Sequence, residues 1–366
     1  MEVPDCRSGH VAVAYKGHVI VWGGYNEERF MDSEDVWLYN INKRVWKKKF
    51  TQGDKPPTAS GSCAAIIESS LYIFAGFSML GNSNSMHILD LKKFNWIKPN
   101  IHSKKPSRRN KLGCWVTGDK IIFFGGYGEW SCDSGDFIGQ GKFIADQSQW
   151  LLHLMGWNND LLLYDTVKNE WKGLQVDDNT PCPRAAHACA TVDETTGYLF
   201  GGRHQTDRLD DLYSLTLDSF QWTEIVTFNH KPTGRSWLTL TAVDDGHLFL
   251  YGGLTTNGRV LGDGWIFSVE ANEWDKLKYS QCGVKRWHTA CEGIYHGQIL
   301  IFGGCKSKLY EDEEHLNEVV AFQLSPLPLV RLAMNVVATF KEKTCHCWLD
   351  LPNELKADIK QLTDGG

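Results

Sequence analysis

The chain has 366 residues, with 38 lysines and arginines against 44 aspartates and glutamates, a formal charge of −6. That acidic balance argues against binding along a nucleic-acid backbone, which needs a net basic face. No window approaches about 18 uncharged apolar residues, and the opening "MEVPDCRSGH" lacks the apolar run of a secretory leader. A soluble intracellular protein outside the membrane, with its 11 cysteines reduced, is the expectation.

In chain order, an apolar strand ends in a pair of small residues six times: "HVIVWGG" (Gly23, Gly24), "LYIFAG" (Ala75, Gly76), "IIFFGG" (Gly125, Gly126), "GYLFGG" (Gly201, Gly202), "HLFLYGG" (Gly252, Gly253) and "QILIFGG" (Gly303, Gly304). The spacings are 52, 50, 76, 51 and 51 residues. After each pair come a polar loop and a short strand, such as "DVWLYNI", "DLLLYDT" or "DGWIFSV". A tryptophan follows in five units, at Trp46, Trp96, Trp171, Trp222 and Trp274. A turn then leads into segments such as "RSGHVAVAY", "RAAHACATV" and "RSWLTLTAV". Four short strands at this period read as propeller blades, stacked because no blade can bury its own faces. The five tryptophans are expected between blades.

This pattern resembles the kelch repeat, marked by a double glycine followed by a tyrosine and a tryptophan. The resemblance implies an all-β fold, a six-bladed kelch propeller over residues 1–325. The long third interval reads as an insertion of about 129–155 in blade three. Closure is less direct, because blade six lacks a tryptophan-bearing outer strand and only Met1 to Cys6 precede the first inner strand. The ring is expected to close weakly or with help from the segment after Leu324.

Neighbouring strands of a blade run antiparallel, so the loops after the glycine pairs and the starts of the inner strands open on one face. That face collects Tyr25, Tyr127, Arg203, Arg208, Arg7, Ser8, Ser60, Arg109, Lys111, Arg184, Arg235, Ser236, Lys285, Arg286 and Trp287, with Trp150 and Trp157 in and after the insertion. Arg7, Arg184 and Arg235 recur at one blade position and read as structural, paired to a carboxylate or carbonyl. His10, His187 and His288 recur too and read as scaffold, with Leu238 in the same place in blade five. No other blade carries two arginines in the loop of "GGRHQTDR". Arg203 and Arg208 can grip a carboxylate bidentately, or form rim salt bridges to Asp207 or Asp210.

The segments "GGR…R", "GRSW", "NKLGCW", "FFGGYG", "GWNND" and "RWHTAC" resemble the kelch-repeat substrate receptors of cullin-RING ubiquitin ligases. The resemblance implies a receptor for C-terminal Gly-Gly degrons at the propeller mouth. Arg203, Arg208 and Ser236 would hold the terminal carboxylate, Lys111 and Tyr127 would line the pocket and supply hydrogen bonds, and Trp157 and Trp287 would wall the approach. "RSWL" stands where the family has "RSWH", and the rim loop of blade six diverges, so the preference upstream of Gly-Gly stays open. The resemblance further implies a non-catalytic subunit; nucleus and cytoplasm are the expected compartments, and no cofactor or metal is expected.

The last forty residues change character. "LVRLAMNVVATFKE" and "LPNELKADIKQL" carry apolar residues at helical steps. They read either as packing under the propeller or as a docking tail over residues 326–366. Leu329, Ala333 and Val337 resemble an elongin-C-binding box, and Leu351, Pro352 and Leu355 a truncated cullin box. The implied partners are elongin B and elongin C, a cullin and its RING subunit. The terminal Gly365–Gly366 would match the mouth's own ligand, giving self-occupancy in cis or self-association in trans.

Other classes find little support. "CHC" at Cys345 to Cys347 has no second ligand pair at finger spacing. No nucleophile stands beside a histidine and an acid, and "GGYGEWSCDSGDFIGQG" lacks the lysine and hydroxyl of a phosphate loop. A kelch scaffold for an unrelated protein partner is the alternative to a ligase receptor.

Overall fold

The computed structural model describes residues 2–26, 34–130, 137–148, 155–278, 282–309, 311–326, 329–345, 348, 351–352, 355–356 and 359–360. The chain is mostly β, built of four- and five-stranded sheets and ending in a short helical segment. Unit one is Val11–Tyr15, His18–Trp22, Val36–Asn40 and Val45–Lys49, paired in chain order and antiparallel throughout. Units three, four and five repeat that order. Unit two gains a parallel edge, Gln52–Gly53 on Asn95–Ile97, and unit six has three strands, ending with Val319–Gln323. The second strand of each unit is buried almost throughout and the third alternates in part, as strands sandwiched between neighbouring sheets must.

The tryptophans join the units. Trp96 meets Trp22 of the unit before it, with ring centroids 5.8 Å apart. Trp171 meets Phe74 at 4.6 Å, Trp222 meets Phe124 at 4.9 Å, and Trp274 meets Phe200 at 5.4 Å. Trp46 of unit one meets Phe302 of unit six at 4.9 Å. The missing outer tryptophan of unit six is replaced by Phe322, 5.3 Å from Tyr251 of unit five.

Backbone hydrogen bonds run around the inner strands. Gly9 N–H donates to Trp287 O, Gly61 to Gly9, Lys111 to Gly61, Ala186 to Lys111, Trp237 to Ala186 and Trp287 to Trp237, at 2.7–2.9 Å. Outside that circle, the second glycine of each pair donates to the next unit: Gly24 to Ala59, Gly76 to Arg109, Gly126 to Arg184, Gly202 to Arg235, Gly253 to Lys285 and Gly304 to Arg7. The junction of unit six with unit one therefore carries the same bonds as the other five, and among the described residues no strand is exchanged between the termini. Residues 4–9 add Arg7 N–H to Leu316 O and accept from Asn317 at Pro4 O.

Buried cations brace most of the inner strands; the recurring position holds Arg7, Arg109, Arg184 and Arg235, but Ala59 in unit two and Lys285 in unit six, where Arg286 is the next residue along. Arg109, Arg184, Arg235 and Arg286 are at most 1% exposed and pair with Asp160, Asp211, Asp263 and Glu313 at 2.7–2.9 Å. Arg7, Arg109, Arg184 and Arg235 also donate to the carbonyl of the first glycine of their unit's pair.

In units four and five the expected loop after the glycine pair is short, because the strands run through the pair as Thr196–His204 and His247–Leu254. The register slips at the glycines, between Phe200 and Gly202 and between Tyr251 and Gly253. Gly201 and Gly202 stand at φ of 65° and 105°, and a Cβ on Gly201 would lie 2.7 Å from Arg235 O. Only glycine accommodates that bulge, and beyond it the hairpin continues.

The insertion forms its own small sheet over unit three: Arg109–Asn110, Tyr127–Glu129, Met155–Asn158 and Phe143–Ala145. After unit six, Leu329–Thr339 is an α-helix, followed by a turn at Lys341–Thr344. Residues 355–356 and 359–360 are helical, as the spacing after Pro352 predicts. No helix among the described residues is long and apolar enough to cross a membrane.

Candidate functional site

Six residues hold equivalent positions around the inner circle and share a left-handed backbone: Gly9 and Gly61 at φ of 64° and 67°, Lys111, Ala186, Trp237 and Trp287 at 56–57°. Glycine adopts that conformation freely, whereas each non-glycine residue there costs about 1–2 kcal/mol. Three of the strained positions carry long side chains that converge on the mouth. Trp237 and Trp287 stack at 5.4 Å and 28°. The ammonium of Lys111 lies 5.8 Å from the Tyr127 ring, 5.9 Å from Trp237 and 5.5 Å from Trp287. Below them is a cavity of about 130 Å³ lined by His10, Ser62, Leu112, His187, Leu238 and His288.

One tier further out, each unit adds a residue bridged to the position before the circle. Arg203 is bridged to Ala185, Tyr127 paired with Asn110, Tyr25 bridged to Ser8 and Phe77 to Ser60. Arg203 and Arg208 are direct cross-strand partners at the end of a hairpin that turns on Gln205 and Thr206. Two cations opposite one another repel, so nearby negative charge favours this pairing. Arg203 stacks 5.3 Å over Trp157, and Arg208 lies 5.9 Å over Trp237. Arg203 Nε donates to Gln205 O at 2.7 Å, and Asp210 is engaged by Lys231 at 3.2 Å. Ser236 is 1% exposed, and its hydroxyl has no hydrogen-bond partner among the described residues; nor has the indole N–H of Trp237 beside it. Ser8 shares the orphaned hydroxyl of Ser236, but it is bridged to Tyr25.

The electrostatics favour an anion. Burial, with the charge of Arg203, pushes the Lys111 pKa down to about 8. Burial pushes the Tyr127 hydroxyl up, and its hydrogen bond to Asp146 adds to that. Burial alone would raise the Asp146 carboxyl, but bonds from Ser148 and Tyr127 and the charge of Arg203 hold it low.

The structure thus brings Arg203, Arg208, Ser236, Lys111, Tyr127, Trp157 and Trp287 to one mouth. Tyr127 departs from the sequence expectation. It donates its proton to Asp146 at 2.9 Å, so it offers its ring, not a donor. Trp237 was not among the residues expected here. Its signal was in the repeat register, where "RSWL" aligns with "KRWH" and puts both indoles on the inner circle. Trp150, His346, Cys347 and Gly365–Gly366 lie outside the described residues. Among the described residues no group of three or more His, Cys, Asp or Glu side chains could hold a metal ion.

At the tail, Leu332, Val336 and Phe340 are 45%, 57% and 50% exposed, an apolar stripe one helical turn apart in each step. Ala333 shares that exposure, Val337 is half-buried, and Leu329 opens the helix. Leu351 and Leu355 are half-buried and Pro352 is exposed.

These features define a β-propeller-type protein of kelch repeats with a cationic, tryptophan-walled mouth. The family model for the KLHDC2/KLHL20/DRC7 Kelch-repeats domain matches residues 1–150 and 154–328, and the chain belongs to that family. It is 39% identical over 372 residues to kelch domain-containing protein 2 of Homo sapiens, covering 98% of this chain and 91% of that protein. It is 36% identical over 349 residues to kelch domain-containing protein 1 of Mus musculus, covering 92% and 84%. Among solved structures, that of YjhT superposes with a TM-score of 0.65 at 16% identity, covering 88% of this chain and 96% of that one, which bears on the fold alone.

Proposed function

We propose that this chain is the substrate-recognition subunit of a cullin-RING ubiquitin ligase, and that its six units close into a propeller whose mouth captures proteins ending in Gly-Gly. The observation that carries the reading is the arginine pair. Arg203 and Arg208 face each other across a hairpin, between two indoles, beside a buried serine hydroxyl without a partner. A chain-terminal carboxylate answers all three groups: it neutralises the pair bidentately and accepts from Ser236. Each charge-assisted hydrogen bond contributes about 1.5–3 kcal/mol. Trp237, Trp287 and Lys111 crowd together above the cavity, which favours residues without side chains. The repeated hydrogen bonds at the junction of units six and one support the closed ring.

The exposed stripe on Leu329–Thr339 supports a helix-in-groove contact with elongin C through Leu329, Ala333 and Val337, with Leu351, Pro352 and Leu355 toward the cullin. In cells the proposed receptor works in the nucleus and cytoplasm.

The test is fluorescence anisotropy with a ten-residue peptide ending in free Gly-Gly, beside its amide. Binding is expected for the acid alone, with loss of at least about tenfold in Arg203→Ala and in Arg208→Ala. Equal binding of acid and amide would sink the degron reading. Separately, Ala333→Asp is expected to abolish co-elution with elongin B–elongin C; retained co-elution would leave a kelch scaffold without a ligase. Tighter peptide binding after removal of Gly365 and Gly366 would identify the tail as a competing occupant.

A further inference from the structure

Unit two contributes a feature that the packing of the fold does not use. After Ala75 and Gly76 the chain makes a tight hairpin, Phe77–Ser78 on Gly81–Asn82, with Met79 and Leu80 at its tip. Two-residue turns favour glycine, asparagine and aspartate. Here the tip residues are 77% and 81% exposed, and Phe77 beneath them is 47% exposed. The hairpin is held upright: Leu80 N–H donates to Ser78 Oγ, and Asn82 accepts from Asn110 at its base. Asn110 pairs with Tyr127 and directly precedes Lys111. Phe77 occupies the tier of Tyr127 and Arg203, since each is joined to the residue before the inner circle.

We infer that Phe77, Met79 and Leu80 form a specificity shoulder that reads apolar side chains at the third and fourth residues from the C-terminus of the bound chain. The inference rests on the mouth being a receptor for chain ends. A carboxylate at Arg203 and Arg208 sets the terminal residue level with Phe77. An extended strand rises about 3.3 Å per residue, so the tip, two residues above Phe77, stands about 7 Å higher. That is the height of the third residue of an extended peptide leaving the mouth. The terminal pair passes the indoles as glycines, and the first side chains to clear the mouth meet the shoulder. Exposed methionine is suited to this contact, because its flexible thioether fits side chains of differing shape.

The experiment compares peptides ending in free Gly-Gly that carry Leu-Leu or Ser-Ser at the third and fourth positions from the end. Each is titrated against the full chain and against Met79→Ser/Leu80→Ser, whose folding is checked by its melting temperature. The native chain is expected to prefer the Leu-Leu peptide about tenfold, the equivalent of burying roughly half of one leucine. The double variant is expected to bind both peptides with the affinity of the Ser-Ser peptide and to keep its requirement for a free carboxylate. No preference in the native chain, or a preference that survives in the double variant, overturns the shoulder and leaves the mouth reading intact. A native dimer that the double variant dissolves would assign the tip to a second copy and also overturn it. Failure of both peptides to bind overturns the mouth reading, and the shoulder with it.

Discussion

Lys111 is the residue at which stability and binding pull in opposite directions. Its backbone is left-handed and its ammonium lies among three rings near Arg203. Its pKa falls to about 8, mainly through burial, whereas in the unfolded chain it would titrate near 10.4. Between those values the unfolded chain holds more protons, so stability rises with pH there, and at neutral pH the charged amine disfavours folding. A carboxylate in the mouth stabilises the ammonium and raises its pKa. Affinity for a free-carboxylate peptide is therefore expected to be flat below about pH 7.5 and to fall as pH climbs through about 8. Lys111→Met should remove that pH dependence, weaken binding about tenfold or more and raise the melting temperature at pH 7. Anisotropy from pH 6.5 to 9.5 and a thermal melt check all three; a variant that keeps the pH dependence would place the titrating group elsewhere. At this scale the sequence was readable where a residue broke the repeat. Arg203 and Arg208 stand out because no other unit has such a pair. Trp237 was legible only through the repeat register, because its place at the mouth depends on a left-handed backbone that its residue type does not announce.

The strand-level elements separate arginines that hold the fold from the cross-strand arginines of the unit-four hairpin. Arg235 is fully buried, donates to Gly252 O and pairs with Asp263, which also accepts from Trp265. Removing one partner of such a pair leaves the other without compensation, at a cost of about 3–5 kcal/mol. Arg235→Met is accordingly expected to lower the melting temperature by several degrees. Arg203→Ala relieves a cross-strand repulsion and is expected to leave the melting temperature unchanged or raised while abolishing peptide binding. Calorimetry of the two variants decides; equal destabilisation would mean that Arg203 is structural as well. The recurrence of Arg7, Arg184 and Arg235 made their bracing role legible in the sequence, as the period of the glycine pairs made the units legible. What the pattern concealed was the length of the hairpins in units four and five. A glycine pair is also a turn signal, and only the pairing on both sides of Gly202 and Gly253 reveals a bulge inside a continuing strand.

At the scale of the whole molecule, backbone hydrogen bonds link the inner strands of all six units. Directly after the circle stand His10, His187 and His288, whose counterparts in units three and five are Leu112 and Leu238. Burial, with nearby Arg7, Arg184 or Lys285, holds the His10 pKa well below its usual value and those of His187 and His288 near 3. The unfolded chain binds these protons near pH 6.5, so the fold is fully supported above that value and loses stability as pH falls toward about 3. His10 and His288 are tied to Thr289 and Thr239, at 2.7 and 3.0 Å. His187 differs: neither ring nitrogen has a hydrogen-bond partner among the described residues, and its ring packs against Phe124 at 5.7 Å. An unsatisfied buried polar group costs about 1–3 kcal/mol, and a leucine in its place restores what units three and five already have. His187→Leu is therefore expected to raise the melting temperature at pH 7 and to flatten its decline between pH 6.5 and 4, without changing peptide affinity at pH 7. Melting curves across that range check it. A destabilised variant would mean that the imidazole is satisfied by water in the cavity beside it and that the fold depends on it.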